Sequence, residues 1–491
     1  MNELLVALTV GTPTVAGAIA WFAPDRWAAR LAATGLSIAL VAGGVLAVRV
    51  FLGGPLNAFG GQVAVDALSA YILVLILVVA AIALAGSPGH VAHERAEGLL
   101  RPHDTGRYYA LLLWFAAGLM AVPLVDNLGL MWVGIEASTI VSALLVGFAR
   151  TPAAIEAAWK YLILGSIGIG FALLGTLLLY ASSVGVLGET SDALNWTRLA
   201  EIAAHLDPGL ARLAFIFALA GYGTKAGLVP FHTWLPDAHS QAPSPISSLL
   251  SGAALAVALY ALARFHLITV GTLGPGFSST LLVLFGLLSL AVALPFIVAQ
   301  GDLKRLLAYS SIEHLGLATL ALGFGGHLAL LGLTLHLFSH GLTKSTIFLA
   351  AGRLVAERKT RRIGRLSGSL ARSPTDGRAF LVAALLLAGF PPSGIFVAEV
   401  AILIGGVQSG WALAAGAAAL ILALAVAGLL FHVVRVAVGP AGNGHATHAG
   451  HPRALLLGMP LGLVVVAGLW TPSPLAAALD AVVVVLGGGR G

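Results

Sequence analysis

Apolar runs of about the 20 residues that a helix needs to cross hydrocarbon recur from one end of the chain to the other, separated by short polar or glycine- and proline-bearing connections. They predict about fourteen transmembrane helices, over 2–22, 31–52, 65–86, 108–125, 127–149, 158–181, 210–230, 245–269, 277–299, 307–325, 327–351, 379–406, 411–436 and 454–476. No connection is long enough to fold as a soluble domain. The expected fold is an all-α polytopic membrane protein. Composition agrees: of 491 residues 59% are hydrophobic and only 9% charged, against about one quarter charged in soluble proteins. Soluble enzyme folds are excluded. The segment Met1–Trp21 has neither a basic leading region nor a small-residue cleavage site, and is expected to be a first spanning helix rather than a signal peptide.

The cations refine this picture. With the N-terminus outside, the internal connections hold 19 of the 26 Lys and Arg residues, eight of them between Arg353 and Arg378, while the external ones are nearly free of them. The positive-inside rule then predicts a multi-pass cell-membrane protein with both termini outside. The basic segment Lys359, Arg361, Arg362 and Arg365 reads as an anchor at anionic headgroups, not as a nucleic-acid surface. Arg49 and Arg264 are expected near outer helix ends, their long stems reaching the interface. The chain has no cysteine, so it offers no thiolate to an iron–sulfur cluster, and redox chemistry belongs to partner chains.

Charges inside a bilayer are costly, so the ionisable residues within the runs are the candidate functional groups. Glu136 lies nine residues into its run, either as a proton carrier beside a buried lysine or as a neutral acid bonded to a carbonyl. Lys225 sits in Gly221-Tyr-Gly-Thr-Lys-Ala-Gly-Leu-Val-Pro230-Phe-His232, whose glycines and proline predict an interrupted helix that admits water. A fixed ion pair is the alternative. His336, His340 and Lys344 recur every four residues and share one helix face, about 6 Å apart per step. Such a ladder suits water-bridged proton transfer; satisfied core histidines are the bland reading. Zinc is not expected there, because third and fourth ligands are lacking and the lysine would repel it.

Glu399 follows a second interrupted stretch, Gly389-Phe-Pro-Pro-Ser-Gly394. Glu313 and His314 lie deep enough to join the ladder, and His239, in the turn after His232, is either a point of proton uptake or structural. The histidine-bearing segment His445, His448 and His451 reads as a hydrophilic connection with at most incidental metal binding. The two interrupted spans stand five apart, which predicts two inverted five-helix repeats with discontinuous helices. The expected divisions are an N-terminal three-helix segment 1–107, repeats at 108–270 and 277–437, and a C-terminal helix and tail at 453–491.

The segments Trp132–Glu136, Gly223–Pro245, Asp302–Gly316, His336–Gly352 and Gly389–Glu399 resemble the antiporter-like proton-translocating subunits shared by respiratory complex I, Mrp antiporters and membrane-bound hydrogenases. Ser311-Ile-Glu-His-Leu-Gly316 and Asn127-Leu-Gly-Leu-Met-Trp132 are similar to the hydrogenase-4 component F type. The resemblance implies fourteen helices around a hydrated axis, with Glu136 and Lys225 as the first charge pair, Lys344 as the central lysine and Glu399 at the exit position. It further implies a non-catalytic subunit of a group 4 nickel–iron hydrogenase or related complex, in a bacterial or archaeal plasma membrane. The nickel–iron centre and iron–sulfur clusters would reside in partners: antiporter-like or quinone-anchoring membrane subunits and peripheral hydrogenase subunits. An Mrp-type cation/proton antiporter subunit and a non-transporting scaffold are the alternatives. The sequence departs from the pattern at Ala256, where quinone-adjacent complex I members often carry lysine, and it ends without the long lateral helix of the largest complex I member.

Overall fold

The computed structural model describes residues 1–439 and 451–487. The segment with His445 and His448, the His451 side chain and Arg490 lie outside the described residues. Twenty α-helices follow one another. The first six are α1 Asn2–Phe22, α2 Asp25–Gly53, α3 Ala67–Ala96, α4 Asp104–Ala121, α5 Leu128–Val146 and α6 Pro152–Leu187. After them come α7 Trp196–Glu201, α8 Pro208–Ala226, α9 Trp234–Gln241, α10 Ser244–Leu249, α11 Leu255–Leu273, α12 Gly276–Val298 and α13 Leu303–Phe324. The rest are α14 Gly326–Arg358, α15 Ser369–Arg372, α16 Pro374–Leu387, α17 Gly394–Gln408, α18 Ala412–Ala437, α19 His451–Leu469 and α20 Ser473–Val485. Strands β1 Leu56–Ala58 and β2 Val63–Val65 form a small antiparallel hairpin.

The expectation of fourteen spans in two inverted repeats is corrected. Among the described residues, nine helices or helix runs are long and apolar enough to cross a membrane, or ten if Arg453–Leu469 and Ser473–Val485, bent by 82°, count as one span. Four expected runs, 108–125, 210–230, 327–351 and 379–406, do not meet that measure. The reason is physical in each case. The helix Pro208–Ala226 is as long as α5, but Arg212, Lys225 and its glycines dilute its apolar character, and it ends where Gly227 turns left-handed. The run 379–406 is two helices of 14 and 15 residues, each rising only about 21–23 Å against about 30 Å of hydrocarbon. Asp104 and Arg107 sit in the first turn of α4, and His336, His340 and Lys344 dilute the apolar character of α14. A division into two blocks of five spans therefore fails. The chain does break where the glycines and prolines lie, at 227–233 and 388–393.

Packing sorts the helices by polarity. The apolar windows of Ser244–Leu273 and Leu303–Phe324 are wholly buried, whereas those of α1, α12 and α18 are only 28%, 39% and 33% buried. The outer helices turn Val41, Val48, Leu144, Ile167, Leu284 and Leu420 outward, as lipid-facing residues would be. In lipid, helices gain little from burying leucine against leucine, so close contact relies on small residues and polar bonds. A Cβ on Gly221 of α8 would lie 2.4 Å from the Ala172 nitrogen and 2.7 Å from the Gly168 carbonyl of α6. Between α14 and the turn before α11, a Cβ on Gly341 would lie 2.8 Å from the Gly252 carbonyl. We therefore expect Gly221→Ala to lower the unfolding midpoint in detergent, at a cost of about 1–3 kcal/mol of overpacking. Gly170→Ala, with open space around it, serves as the control that leaves thermal unfolding unchanged.

Candidate functional site

A buried polar axis runs through the helix bundle, and its first group is Lys225. The residue is the last but one of α8, two before the left-handed Gly227, and is 2% exposed. Its Nζ donates to Thr139 Oγ1 at 2.7 Å and to the Tyr161 hydroxyl at 2.6 Å. Tyr161 shares a further hydrogen bond with Ser142 at 2.8 Å and stacks on Trp234 at 4.4 Å. Trp234 in turn donates to the Thr224 carbonyl at 2.8 Å, which fixes the turn after α8. Glu136 lies one helical step before Thr139 on α5 but does not meet the lysine in an ion pair. One of its carboxylate oxygens accepts from Ser166 at 2.7 Å, and the other is enclosed without a partner.

Lys344 lies mid-way along α14 and is fully buried. Its amine donates to the Leu307 carbonyl at 2.7 Å and to the Ser310 hydroxyl, both on α13. The two lysines thus have the same chemistry: each ammonium is held by neutral oxygens only. Between them lies the stretch that carries Ala256. A π-turn at Leu250–Ala254 joins α10 to α11, and there Ser251 hydrogen-bonds Ser311 at 2.8 Å, next to the Ser310 that holds Lys344. The neighbouring Ser248 hydroxyl is buried with no partner. Where the sequence offers an apolar methyl, the fold supplies hydroxyls instead. Extra backbone turns of this kind cluster at functional positions in helices.

Beyond Lys344 the ladder becomes a cluster. The His336 and His340 rings stand 6.0 Å apart, one helical turn, and His314 from α13 fills the gap at 5.1 Å and 5.2 Å. His314 Nδ1 meets His336 Nε2 at 3.2 Å. Glu399 closes the group from α17, with ligand atoms of His314, His336 and Glu399 all within 4.8 Å of one another. Its carboxylate lies over the chain break, where a Cβ on Gly389 would come within 2.4 Å of it. Glu313, buried on α13, lies within electrostatic reach of both Lys344 and Glu399.

The other expected histidines stand apart. His232 is buried in the turn after α8, its Nδ1 unpartnered. His239 is fully buried on α9, stacked on Phe348 at 5.2 Å, with neither ring nitrogen bonded.

Sequence reasoning missed Thr139, Tyr161, Ser166 and Ser251, because hydroxyls carry no charge that marks them in an apolar run. It also misplaced one cation. Arg264 does not reach for an interface: it is 2% exposed and bonds both Asp66 oxygens at 2.8 and 2.7 Å. Its guanidinium lies between Trp196 at 3.8 Å and Tyr260 at 4.9 Å. Burial alone would raise Asp66, but the Arg264 charge and its hydrogen bonds outweigh it and hold the carboxyl below its usual range. This clamp sits beside the hairpin, at a cavity of about 440 Å³ that Asp126, Asp192, Asn195 and Glu201 also line. Lys304 is likewise buried, donating to the Ala242 carbonyl at 2.6 Å.

The family described as NADH:quinone oxidoreductase/Mrp antiporter, TM, matches residues 125–424, which contain every member of this axis. A hydrogenase-4 component F homolog of Methylacidiphilum infernorum is 41% identical over 353 residues, 72% of this chain and 74% of that protein. Two solved structures share the fold. One is a chain of the membrane-bound sulfane sulfur reductase, an archaeal respiratory membrane complex, with a TM-score of 0.87, 22% identity and coverage of 98% of this chain and 97% of that one. The other is a chain of the Mrp complex from a Dietzia species, with a TM-score of 0.84, 21% identity and the same coverage.

The clamp yields a prediction. Asp66→Ala leaves a buried guanidinium without its counter-charge and should destabilise the protein by about 3–5 kcal/mol. Asp66→Leu combined with Arg264→Met, which removes both charges, should recover most of that loss in detergent unfolding. Equal instability of the single and double variants would show that the pair does not act as a unit.

Proposed function

Because this chain belongs to the NADH:quinone oxidoreductase/Mrp antiporter membrane family, we propose that it is a proton-translocating subunit of a group 4 hydrogenase or related respiratory complex. The observation that carries this reading is the shared environment of Lys225 and Lys344. Each is buried, and each is bonded only to hydroxyl or carbonyl oxygens. An amine fixed by a carboxylate would be locked in its charged form, whereas one held by neutral oxygens can hold or release a proton.

Glu136 is the control element in this scheme. At 4 Å a carboxylate–ammonium pair is worth about 4 kcal/mol at an effective dielectric of 20, so moving Glu136 toward or away from Lys225 changes how firmly the lysine keeps its proton. A partner subunit driven by redox chemistry supplies that movement. A proton leaving Lys225 passes along the Ser251–Ser311 hydroxyls and Ser310 to Lys344, then over His340, His314 and His336 to Glu399. His232 and His239 serve uptake on the side of the turn after α8. The chain brings no cysteine to this chemistry, and the nickel–iron and iron–sulfur groups are assigned to peripheral partners.

Orientation follows from the basic connections. Ion pairs tie them to one another at one face: Arg150 to Asp104, Lys160 to Asp237, Lys359 to Glu97 and Arg453 to Asp376. This face is assigned to the cytoplasm. Both described ends are assigned to the opposite face, a reading supported by the bond of Asn2 to Arg49 near the hairpin and the contact of Asp480 with His327 at the start of α14.

Proton uptake by the reconstituted complex, measured against partner turnover, tests the proposal. Lys225→Ala should lower the number of protons moved per turnover, and an unchanged ratio would favour a scaffold. Exchange that requires sodium would favour an Mrp-type antiporter. Ser251→Ala removes one hydroxyl step worth about 1 kcal/mol, and should slow proton movement about fivefold without preventing assembly.

A further inference from the structure

Two residues of the imidazole cluster and the carboxylate beside them form a donor set of a kind that the linear sequence does not display. On α14 alone, His336 and His340 offer two rings one turn apart, with Lys344 a turn further on. The fold adds His314 from α13 and Glu399 from α17, and brings ligand atoms of His314, His336 and Glu399 within 4.8 Å of one another. The closest pair, His314 Nδ1 and His336 Nε2 at 3.2 Å, has nearly the separation of two ligands on a tetrahedral ion with bonds of about 2.0–2.1 Å. Polar capacity is left over beside this pair: His336 Nδ1 and His340 Nε2 are buried and lack a hydrogen-bond partner.

We propose that this cluster is a binding site for a divalent transition-metal ion, zinc above all, held by His314, His336 and Glu399 with a fourth position left for water or His340. Two neutral imidazoles and one carboxylate are a donor set that zinc accepts with an open position. Magnesium and calcium, which take oxygen ligands, do not suit it. The ion is a reversible ligand and not a resident cofactor. It binds as a dication, and any protons on the three ligand groups leave to solvent.

Two features limit its affinity. Lys344 is directed at Leu307 and Ser310 and away from the ligand set, yet its positive charge opposes a cation nearby. His314 and His336 are enclosed and Glu399 is the one partly exposed member, so the ion must shed its hydration shell to reach them. Occupation ties together three groups that the proposed proton path uses separately, so zinc would arrest that path. The binding itself does not depend on the path being correct.

The test is direct binding to the full-length chain in mild detergent, in a background where His445, His448 and His451 are replaced by alanine. Zinc is titrated against a chromophoric chelator. We expect one equivalent bound, weakened more than about tenfold by Glu399→Gln or by His336→Gln, since loss of a ligand should exceed the 10- to 100-fold range's lower limit seen for outer-shell changes. Lys344→Met should tighten binding, and acidification should weaken it as the imidazoles take up protons. X-ray absorption at the zinc edge on the chain with unaltered ligands gives a readout that no misfolded variant can confuse, and a first shell of two imidazoles with oxygen is expected. Absence of a stoichiometric site, affinity indifferent to Glu399→Gln and His336→Gln in folded protein, or a first shell without imidazole would each overturn the proposal. A proton-transport defect without loss of zinc binding would bear on the transport reading alone.

Discussion

A charged amine inside hydrocarbon must find its partners within the protein, because the bilayer offers neither water nor counter-ions. Lys344 shows how far this requirement reaches. The oxygens that receive its protons come from α13, at Leu307 and Ser310, so α13 must lie against α14 and carry polar side chains along its length. A helix that bears Lys304, Ser310, Ser311, Glu313 and His314 cannot face lipid, and every residue of it but Arg305 is indeed buried. The outer helices, rich in alanine, valine and leucine, form the apolar sheath that makes such a core possible.

The axis so protected is chemically uneven. Around Lys225 it consists of hydroxyls and aromatic rings: Thr139, Ser142, Tyr161 and Trp234. Beyond Lys344 it consists of imidazoles and carboxylates. The serine-bearing π-turn at Leu250–Ala254 lies between the two regions, pressed against α14 through Gly252 and Gly341. A hydroxyl can pass a proton but not store a charge, whereas an imidazole can do both near neutral pH. In the proposed path, storage would therefore fall to the lysines and the histidine cluster, with the serines as connections.

The Arg264–Asp66 clamp plays a different part. Enclosed by Trp196 and Tyr260 and bonded at both carboxylate oxygens, it joins the start of α3 to α11 at the hairpin end. At the basic end, ion pairs such as Arg150–Asp104 and Arg453–Asp376 join connections distant in the chain. Both ends of the bundle are thus tied by charge, and the middle is left to hydrogen bonds between neutral groups and the charges of the axis. That distribution allows local rearrangement about Glu136 and Lys225 within a fixed frame.

Much of this protein was determined by its sequence alone. Low charge and recurrent apolar runs dictate a membrane protein, and Gly227 and the Gly389–Gly394 stretch dictate where helices stop, because backbone geometry at glycine and proline is a local property. The ionisable residues of the axis stand out for the same reason, since a lysine or glutamate in an apolar run is conspicuous wherever it folds. The number of spanning helices was not legible, because helix ends shift by several residues and bring polar groups such as Asp104, Arg107 and Arg212 inside α4 and α8. Nor was the partner of any buried charge. That Lys225 meets Thr139 and Tyr161 and not Glu136, that Arg264 turns inward to Asp66, and that His314 and Glu399 complete a cluster begun on α14 were decided by tertiary contact, where side chains far apart in the chain satisfy one another for want of water.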